Sequence, residues 1–435
     1  MPRIIRLLLL VSLLVAASIV IEVQAATSRV DVLHVKATIN PVLVDYIKRG
    51  IDQAEEGNAA ACIIQLDTPG GLDTSMRDIV KDIVNARVPV VVYVSPSGAR
   101  AASAGVFITM AAHVAAMAPN TAIGAAHPVA VGAEGEAQMS EAMEEKVVND
   151  AAAYIRSIAE AHGRNMEWAE KAVRESVSAT EQEALELNVI DMVAPDLNSL
   201  TSQLEGRQIT MLDGRVVTLH TEGAEINHVE MNTIEDFLYT ISDPNIAYIL
   251  LSLAMLGIFF ELSNPGLILP GVVGGICLLM AFYSLGMLPV NYAGVLLIVL
   301  AFGLFIAEVF TATFGLFTAG GITSLVIGSL ILFKGVSPLF QVNPWLIATV
   351  AIGIAGFFGF VVNRVIRVHR RQASTGREEL VGKTAVVKVA LEPEGTILFK
   401  GERWTAVSEK GRVKPGEEVI ITKVDGLKLW VIKKE

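Results

Sequence analysis

"PVVVYVSPSGARAASAG" (89–105) begins as a run of β-branched and aromatic residues. It passes through a turn of serine, proline and glycine, and ends on one serine, Ser103, set among alanines and glycines. Apolar residues fill successive positions of the run rather than every second one, which reads as a strand buried on both faces. The small residues that follow start a helix at Ser103. Two similar units lie upstream. Val30–Val35 leads into a helix over 41–57, and "ACIIQLD" (61–67) leads into a helix over about 72–86. This alternation predicts a parallel sheet covered by helices on both sides.

Two glycine-containing turns, Asp67-Thr68-Pro69-Gly70-Gly71 and Gly98 to Gly105, therefore leave consecutive strands at the carboxyl edge of the sheet, where α/β proteins place their sites. Paired glycines let backbone N–H groups face a ligand with no Cβ in the way, which is one half of an oxyanion hole. The N–H of Ala104 is placed to supply the other half. At a helix N-terminus, Ser103 would also meet the positive end of the dipole. Taken alone, either loop has a plain structural reading, a tight turn or a serine N-cap. Together, on consecutive strands, they point to a nucleophile and its anion site.

A serine hydroxyl needs a base at neutral pH. Lys146 lies in a helical run over 138–162 whose apolar face is Val147, Ala151, Ile155 and Ile158. A lysine serves only when desolvation lowers its pKa, and the adjacent Glu144 and Glu145 oppose that unless they face water. His127, in "GAAHPV", is the other candidate, through a Ser–His pair. A single histidine after an apolar turn also has a structural reading as a hydrogen-bonding group.

The rest of the chain bounds the setting. It has 435 residues, 52% hydrophobic and 18% charged, with a net charge of −11. That composition is too apolar for a soluble protein alone, and the acidic balance argues against a nucleic-acid partner. The two cysteines, Cys62 and Cys277, fall in a core strand and an apolar span, so neither a disulfide nor a thiolate metal site is expected. No metal and no cofactor are expected. Arg3 and Arg6 precede an apolar run over 7–21 and then Val23-Gln24-Ala25, the pattern of an export signal over 1–25. Five apolar segments follow, at 246–262, 267–286, 292–311, 314–333 and 345–366. The first is short and Pro265-Gly266 divides it tightly from the second, so four or five helices cross. Glu261 and Glu308 near span ends are read as facing the interface or a neighbouring helix. Arg364, Arg367, His369, Arg370 and Arg371 put the end of the last span in the cytoplasm. An exported catalytic zone and a cytoplasmic tail require an odd number of crossings, which five spans supply. Five short strands with turns at Lys414-Pro415-Gly416 and Asp425-Gly426 predict a small barrel of the oligonucleotide/oligosaccharide-binding type over 376–435. Its aromatics Phe399, Trp404 and Trp430 are read as core or protein-docking residues.

At this point "DTPGG" (67–71), "YVSPSGARAASAG" (93–105), "MAPNTAIGAAHP" (117–128), Lys146 with "AYIRSIA" (153–159), "ATFGLF" (312–317) and "GLKLWV" (426–431) together resemble the NfeD family. These are membrane-bound serine proteases of the Clp-peptidase/crotonase superfamily, also called stomatin operon partner proteins. The resemblance covers almost the whole chain. It implies a Clp-peptidase/crotonase-like α/β domain over 27–235, a helical transmembrane region over 246–366, and an OB-fold-like barrel over 376–435. It further implies a multi-pass protein of the cell inner membrane with Ser103 as nucleophile, Lys146 as general base, and Gly70, Gly71 and Ala104 as oxyanion-hole donors. The implied substrate is an apolar peptide segment, in particular of a stomatin-like membrane partner. The implied assembly is a homodimer or larger homo-oligomer. His127 falls near the position of the Clp-peptidase histidine. The segment matching their aspartate, Arg174-Glu175-Ser176-Val177-Ser178, holds no Asp, and Glu175 is the substitute to consider. The resemblance favours the lysine.

Two other functions follow different features. The spans and barrel suit a scaffold for stomatin- or flotillin-like proteins. Paired N–H groups also suit a crotonase-type acyl-CoA enzyme, which export away from coenzyme A disfavours. The glycine- and alanine-rich stretch 129–140 reads as a flap that orders over peptide and brings Lys146 inward.

Overall fold

The computed structural model describes residues 28–128, 141–264, 266, 268–288, 290–311, 315–333, 340–369 and 380–434. The expected export signal, the flap 129–140, Ala312 to Phe314, Arg370 and Arg371 lie outside them. Two compact units form, one of residues up to Ala307 with Ala319–Ile352, the other of Glu308–Thr318 with Gly353–Glu435.

The N-terminal zone begins with β1 (Arg29–Lys36), α1 (Pro41–Glu56), β2 (Ala61–Asp67), α2 (Asp73–Val84) and β3 (Val90–Val94). Then come β4 (Arg100–Ala102), α3 (Ala104–Ala111), β5 (Val114–Met117) and β6 (Ala122–Gly124). After the flap come α4 (Glu141–Ala161), α5 (Met166–Arg174), β7 (Ser178–Thr180), α6 (Glu181–Glu186), β8 (Met192–Val193) and α7 (Leu197–Leu204). A hairpin of β9 (Gln208–Thr210) and β10 (Val216–Thr218), then β11 (Glu225–Val229), completes the zone. The main sheet has the order β11-β1-β2-β3-β5-β8, and every pairing in it is parallel. Alternation along the strands splits the core. Leu33, Val35, Cys62, Ile64 and Leu66 face one layer of helices, while Val30, Val32, Ala61 and Ile63 face α7 and the hairpin. The expected strands at 61–67 and 89–94 are present, with the second beginning one residue later.

One feature escapes the sequence pattern. β4, β6 and β7 form a separate three-stranded sheet beside the site, with β4 parallel to β6 and β6 antiparallel to β7. Each is three residues long, too short to display a period.

The apolar region follows α8 (Thr233–Ile241) and holds α9 (Pro244–Ser263), α10 (Ile268–Met287), α11 (Tyr292–Phe310), α12 (Leu316–Ile331) and α13 (Pro344–His369). Four of these, α9, α10, α11 and α13, are long and apolar enough to cross a bilayer. The first span is longer than expected, at 20 residues. α12 has 16 residues; at 1.5 Å per residue it measures ~24 Å, against ~30 Å of hydrocarbon. α9 and α10 cross closely on glycines: a Cβ on Gly257 would stand 2.6 Å from Pro270 O and 2.7 Å from Gly274 Cα. Glu308 accepts hydrogen bonds from Gly315 N (2.8 Å) and Thr318 N (3.0 Å), so it caps the start of α12. Glu261 lies against Gly271.

The tail is a closed barrel of β12 (Thr384–Val389), β13 (Glu394–Phe399), β14 (Glu402–Ser408), β15 (Glu418–Asp425) and β16 (Lys428–Lys433), in the order β12-β13-β14-β16-β15. Phe399 is buried in its core, and the half-buried Trp404 packs against that core.

Candidate active site

Ser103 sits between β4 and α3 with φ 53° and ψ −114°. This is a strained conformation for a residue with a Cβ, of the kind that persists when neighbours fix it and that concentrates at functional sites. Here the neighbours are explicit. The Ser103 N–H donates to Gly124 O at 3.1 Å, and Ser103 O accepts from Val106 N at 3.0 Å. β4 itself is held by Thr68, whose N–H donates to Arg100 O (2.8 Å) and whose carbonyl accepts from Ala102 N (3.1 Å). The side chain makes no capping hydrogen bond, which removes the reading of Ser103 as a side-chain N-cap. A strained serine on a sharp strand-to-helix turn is the arrangement that exposes a nucleophilic hydroxyl.

The small residues divide into two classes. Ala99, Ala101, Ala104 and Gly105 are buried, and a Cβ on Gly105 would meet Thr68 Cγ2 at 2.7 Å. These serve packing. Ala102 and Ser103 are half-buried and border the opening.

The turn 67–71 lies directly against the serine. A Cβ on Gly70 (φ +121°) would stand 2.7 Å from Ser103 Cβ and 3.1 Å from its Oγ. Gly70 O accepts from Ile39 N (2.8 Å), and Leu72 N donates to Ile39 O (3.0 Å), so the segment between β1 and α1 braces this turn. The Gly70 N–H donates to Thr68 Oγ1 at 3.1 Å. The Gly70 N–H is thus engaged, and what Gly70 adds beside Ser103 is the missing side chain. No hydrogen bond engages the N–H groups of Gly71 or Ala104 among the described residues. Ala104 is the first residue of α3, where an unpaired N–H is intrinsic to the helix. Thr68, Ile39 and Gly124 were not singled out from the sequence. The Thr-Pro-Gly order is a recognisable side-chain turn signal for the first of them. The other two act through backbone atoms that carry no sequence mark.

The two candidate bases differ. Lys146 is exposed near the start of α4, and no hydrogen bond or ion pair engages it among the described residues. One turn onward, Asp150 pairs with Arg77 of α2 at 2.5 Å, and Arg77 also holds Asp73 at 2.8 Å and stacks over the Tyr154 ring at 4.5 Å. Residues four apart share a helix face. Lys146 therefore lies one turn before Asp150 on the same side of α4. His127 is half-buried, and its Nδ1 lies 2.8 Å from Val173 O. A carbonyl only accepts, so Nδ1–H is the donor in this contact. The group that meets Nδ1 is the Val173 carbonyl. No hydrogen bond joins Ser103 to Lys146 or to His127 among the described residues.

Comparison with known proteins agrees along the chain. Residues 29–229 match the profile described as NfeD1b, N-terminal domain. Residues 245–364 match the NfeD integral membrane domain, and residues 377–433 the NfeD-like C-terminal, partner-binding domain. The chain is similar to membrane-bound protease PH1510 of Pyrococcus horikoshii, 39% identical over 94% of each chain. It is also similar to membrane protein NfeD1b of Bacillus subtilis, 28% identical over 98% of this chain and 97% of that one. A solved structure, the 1510-N membrane protease specific for a stomatin homolog from Pyrococcus horikoshii, is 36% identical. It covers 50% of this chain and 100% of that chain, with a TM-score of 0.43.

Proposed function

The chain belongs to the NfeD family, and from that premise we propose that it is a membrane-anchored serine endopeptidase acting through a Ser103–Lys146 dyad. The observation that carries this reading is the backbone of Ser103, held at φ 53° against a side-chain-free Gly70 with its hydroxyl uncommitted. The name of the Pyrococcus relative supports proteolysis at the membrane.

In the proposed reaction Ser103 Oγ attacks a peptide carbonyl while Lys146 takes its proton. The developing oxyanion accepts from the N–H groups of Gly71 and Ala104, and Gly70 leaves room for it. Lys146 then gives its proton to the leaving amine, and water releases the acyl group from Ser103. Lys146 must be neutral to begin, which requires a drier setting than its exposed place here. Bound apolar peptide, lying between the 67–71 turn and the start of α4, supplies that setting. The substrate is an apolar segment of a stomatin-like membrane partner, as the family resemblance implies, and the enzyme works as a homo-oligomer with its site outside the cytoplasm.

A second reading, a membrane scaffold with proteolysis lost or secondary, is favoured by two observations. The tail matches a partner-binding domain, and Lys146 is exposed. A fluorophosphonate probe on the full chain separates the two. Labelling that disappears in Ser103→Ala supports the enzyme, and a folded chain that does not label supports the scaffold.

A further inference from the structure

Helix α8, "TIEDFLYTI", has its polar clamp inside and its large apolar residues outside. Asn232 caps it, accepting from Ile234 N (2.9 Å) and Glu235 N (3.0 Å). Its inner face holds Glu235, which takes a two-pronged bond from Arg49 of α1 at 2.6 and 2.7 Å. Arg49 also donates to Glu230 O at 2.8 Å. Ile241 is buried at the far end. The outer face shows Ile234, 69% exposed, and Phe237, 49% exposed. Three residues apart, they share one side. Such an arrangement in water leaves apolar surface without a partner.

The position of α8 supplies one. Ser242 ends α8, Asp243 caps α9, accepting from Asn245 N at 2.8 Å, and the first span starts at Pro244. α8 also approaches the second span, α10. The helix ends near it can be assigned to one side. Asn343 N donates to Asn245 Oδ1 (2.8 Å), so α13 and α9 start together. Asn291 N donates to Leu332 O (2.8 Å), which puts the start of α11 beside the end of α12. Ser329, in the last turn of α12, donates to Tyr248 Oη near the start of α9 at 2.9 Å. Asp243, Asn245, Asn291 and Asn343 therefore form a polar level. Tyr292 and Trp345, 73% and 81% exposed, stand at that level on their own helices. Aromatic residues at span ends mark the headgroup region of a bilayer.

We propose that α8 is an interfacial helix, with Ile234 and Phe237 seated at the boundary between headgroups and acyl chains. The energetic basis is burial of two apolar side chains that the fold leaves uncovered. The Arg49–Glu235 clamp makes the attachment stiff, so the whole α/β zone is fixed at the lipid surface. The active-site turn is close in the chain of contacts. Tyr239 of α8 reaches the backbone of Thr38, and the next residue, Ile39, braces Gly70 and Leu72. A peptide leaving the bilayer meets the Ser103 opening beside a surface already in lipid.

The test is tryptophan emission from the full chain in phosphatidylcholine vesicles, recorded as the difference between a Phe237→Trp variant and the parent. The expected result is a blue-shifted component, lost when the lipid is brominated near the headgroup and protected from acrylamide. An Ile234→Trp variant reads the same face should the first fail to fold. Glu222→Trp, in the exposed turn before β11, should emit as in water and lose intensity to acrylamide. Water-like emission at 237 and 234, insensitive to bromine, overturns the proposal. A blue-shifted component that bromine leaves unchanged overturns it too, since a second copy of the chain would then cover the face.

Discussion

Gly70 and Ser103 meet backbone to side chain, with room between them for nothing larger than hydrogen: a Cβ on Gly70 would stand 2.7 Å from Ser103 Cβ. The contact joins the turn after β2 to the β4–α3 junction, with Ile39 and Thr68 bonding the first and Gly124 and Val106 the second. Ser103 is thus placed by two loops that Thr68 ties together through Arg100 and Ala102.

Gly70→Ala should therefore lower peptide cleavage by about 100-fold, the usual result of displacing a reacting atom by an ångström. Circular dichroism should remain that of the parent. Gly98→Ala is the comparison: its φ is +90°, but a Cβ there has nothing within 4 Å. It should cost only about 1–2 kcal/mol of stability from the left-handed backbone and keep cleavage.

His127 separates the two bases. Its Nδ1–H donates to Val173 O, which leaves Nε2 as the ring nitrogen without that bond. With Lys146 as base, His127→Ala should reduce kcat only a few-fold, within the range expected for a positioning loss. Full loss in His127→Ala, together with full activity in Lys146→Ala, would transfer the role to the histidine. Steady-state kinetics of both variants on one peptide decides it.

Acid should destabilise the α/β zone through two half-buried imidazoles. Burial first, and then the Arg164 charge, hold His113 and His162 at about 4. His113 Nδ1 accepts from Val90 N at 3.1 Å and is bare in the fold. The ordinary value is near 6.5, so the unfolded chain binds these protons first as pH falls. The contribution is complete above pH 6.5 and is lost as pH drops from about 6.5 towards 4. It amounts to at most about 3 kcal/mol per imidazole. Melting temperature should decline through that window in the parent and decline less in His162→Leu.

Arg164 should matter for stability and not for chemistry. Its side chain is 3% exposed, donating to Met110 O (2.5 Å), Ala112 O (2.9 Å) and Asp191 (2.7 Å). Arg164→Ala leaves the Met110 and Ala112 carbonyls without this donor, at a cost of about 1–3 kcal/mol for each, while Asp191 keeps Ala115 N and Arg207 as partners. The urea midpoint should fall accordingly, while cleavage per folded molecule stays near that of the parent.

The sequence made the main sheet legible because its strands are long, apolar and separated by marked turns. Ser103 was legible because one hydroxyl in a run of alanine and glycine has no packing reason to be there. What stayed hidden was tertiary. Three-residue strands such as Arg100–Ala102 have no period to read. The commitment of the Gly70 N–H to Thr68 and the brace from Ile39 depend on atoms every residue shares. Glu308 was visible as a carboxylate near a span end, but its partners are backbone N–H groups across a turn. The surroundings of Lys146 depend on what covers the start of α4, and helix periodicity does not report that.

The most direct test of the dyad is cleavage of one apolar peptide by the reconstituted full chain, beside Ser103→Ala and Lys146→Ala. Both variants should fold as the parent does and lose at least about 1,000-fold in kcat, since removing either member of such a unit costs nearly as much as removing both. Cleavage that survives in either folded variant would contradict the mechanism.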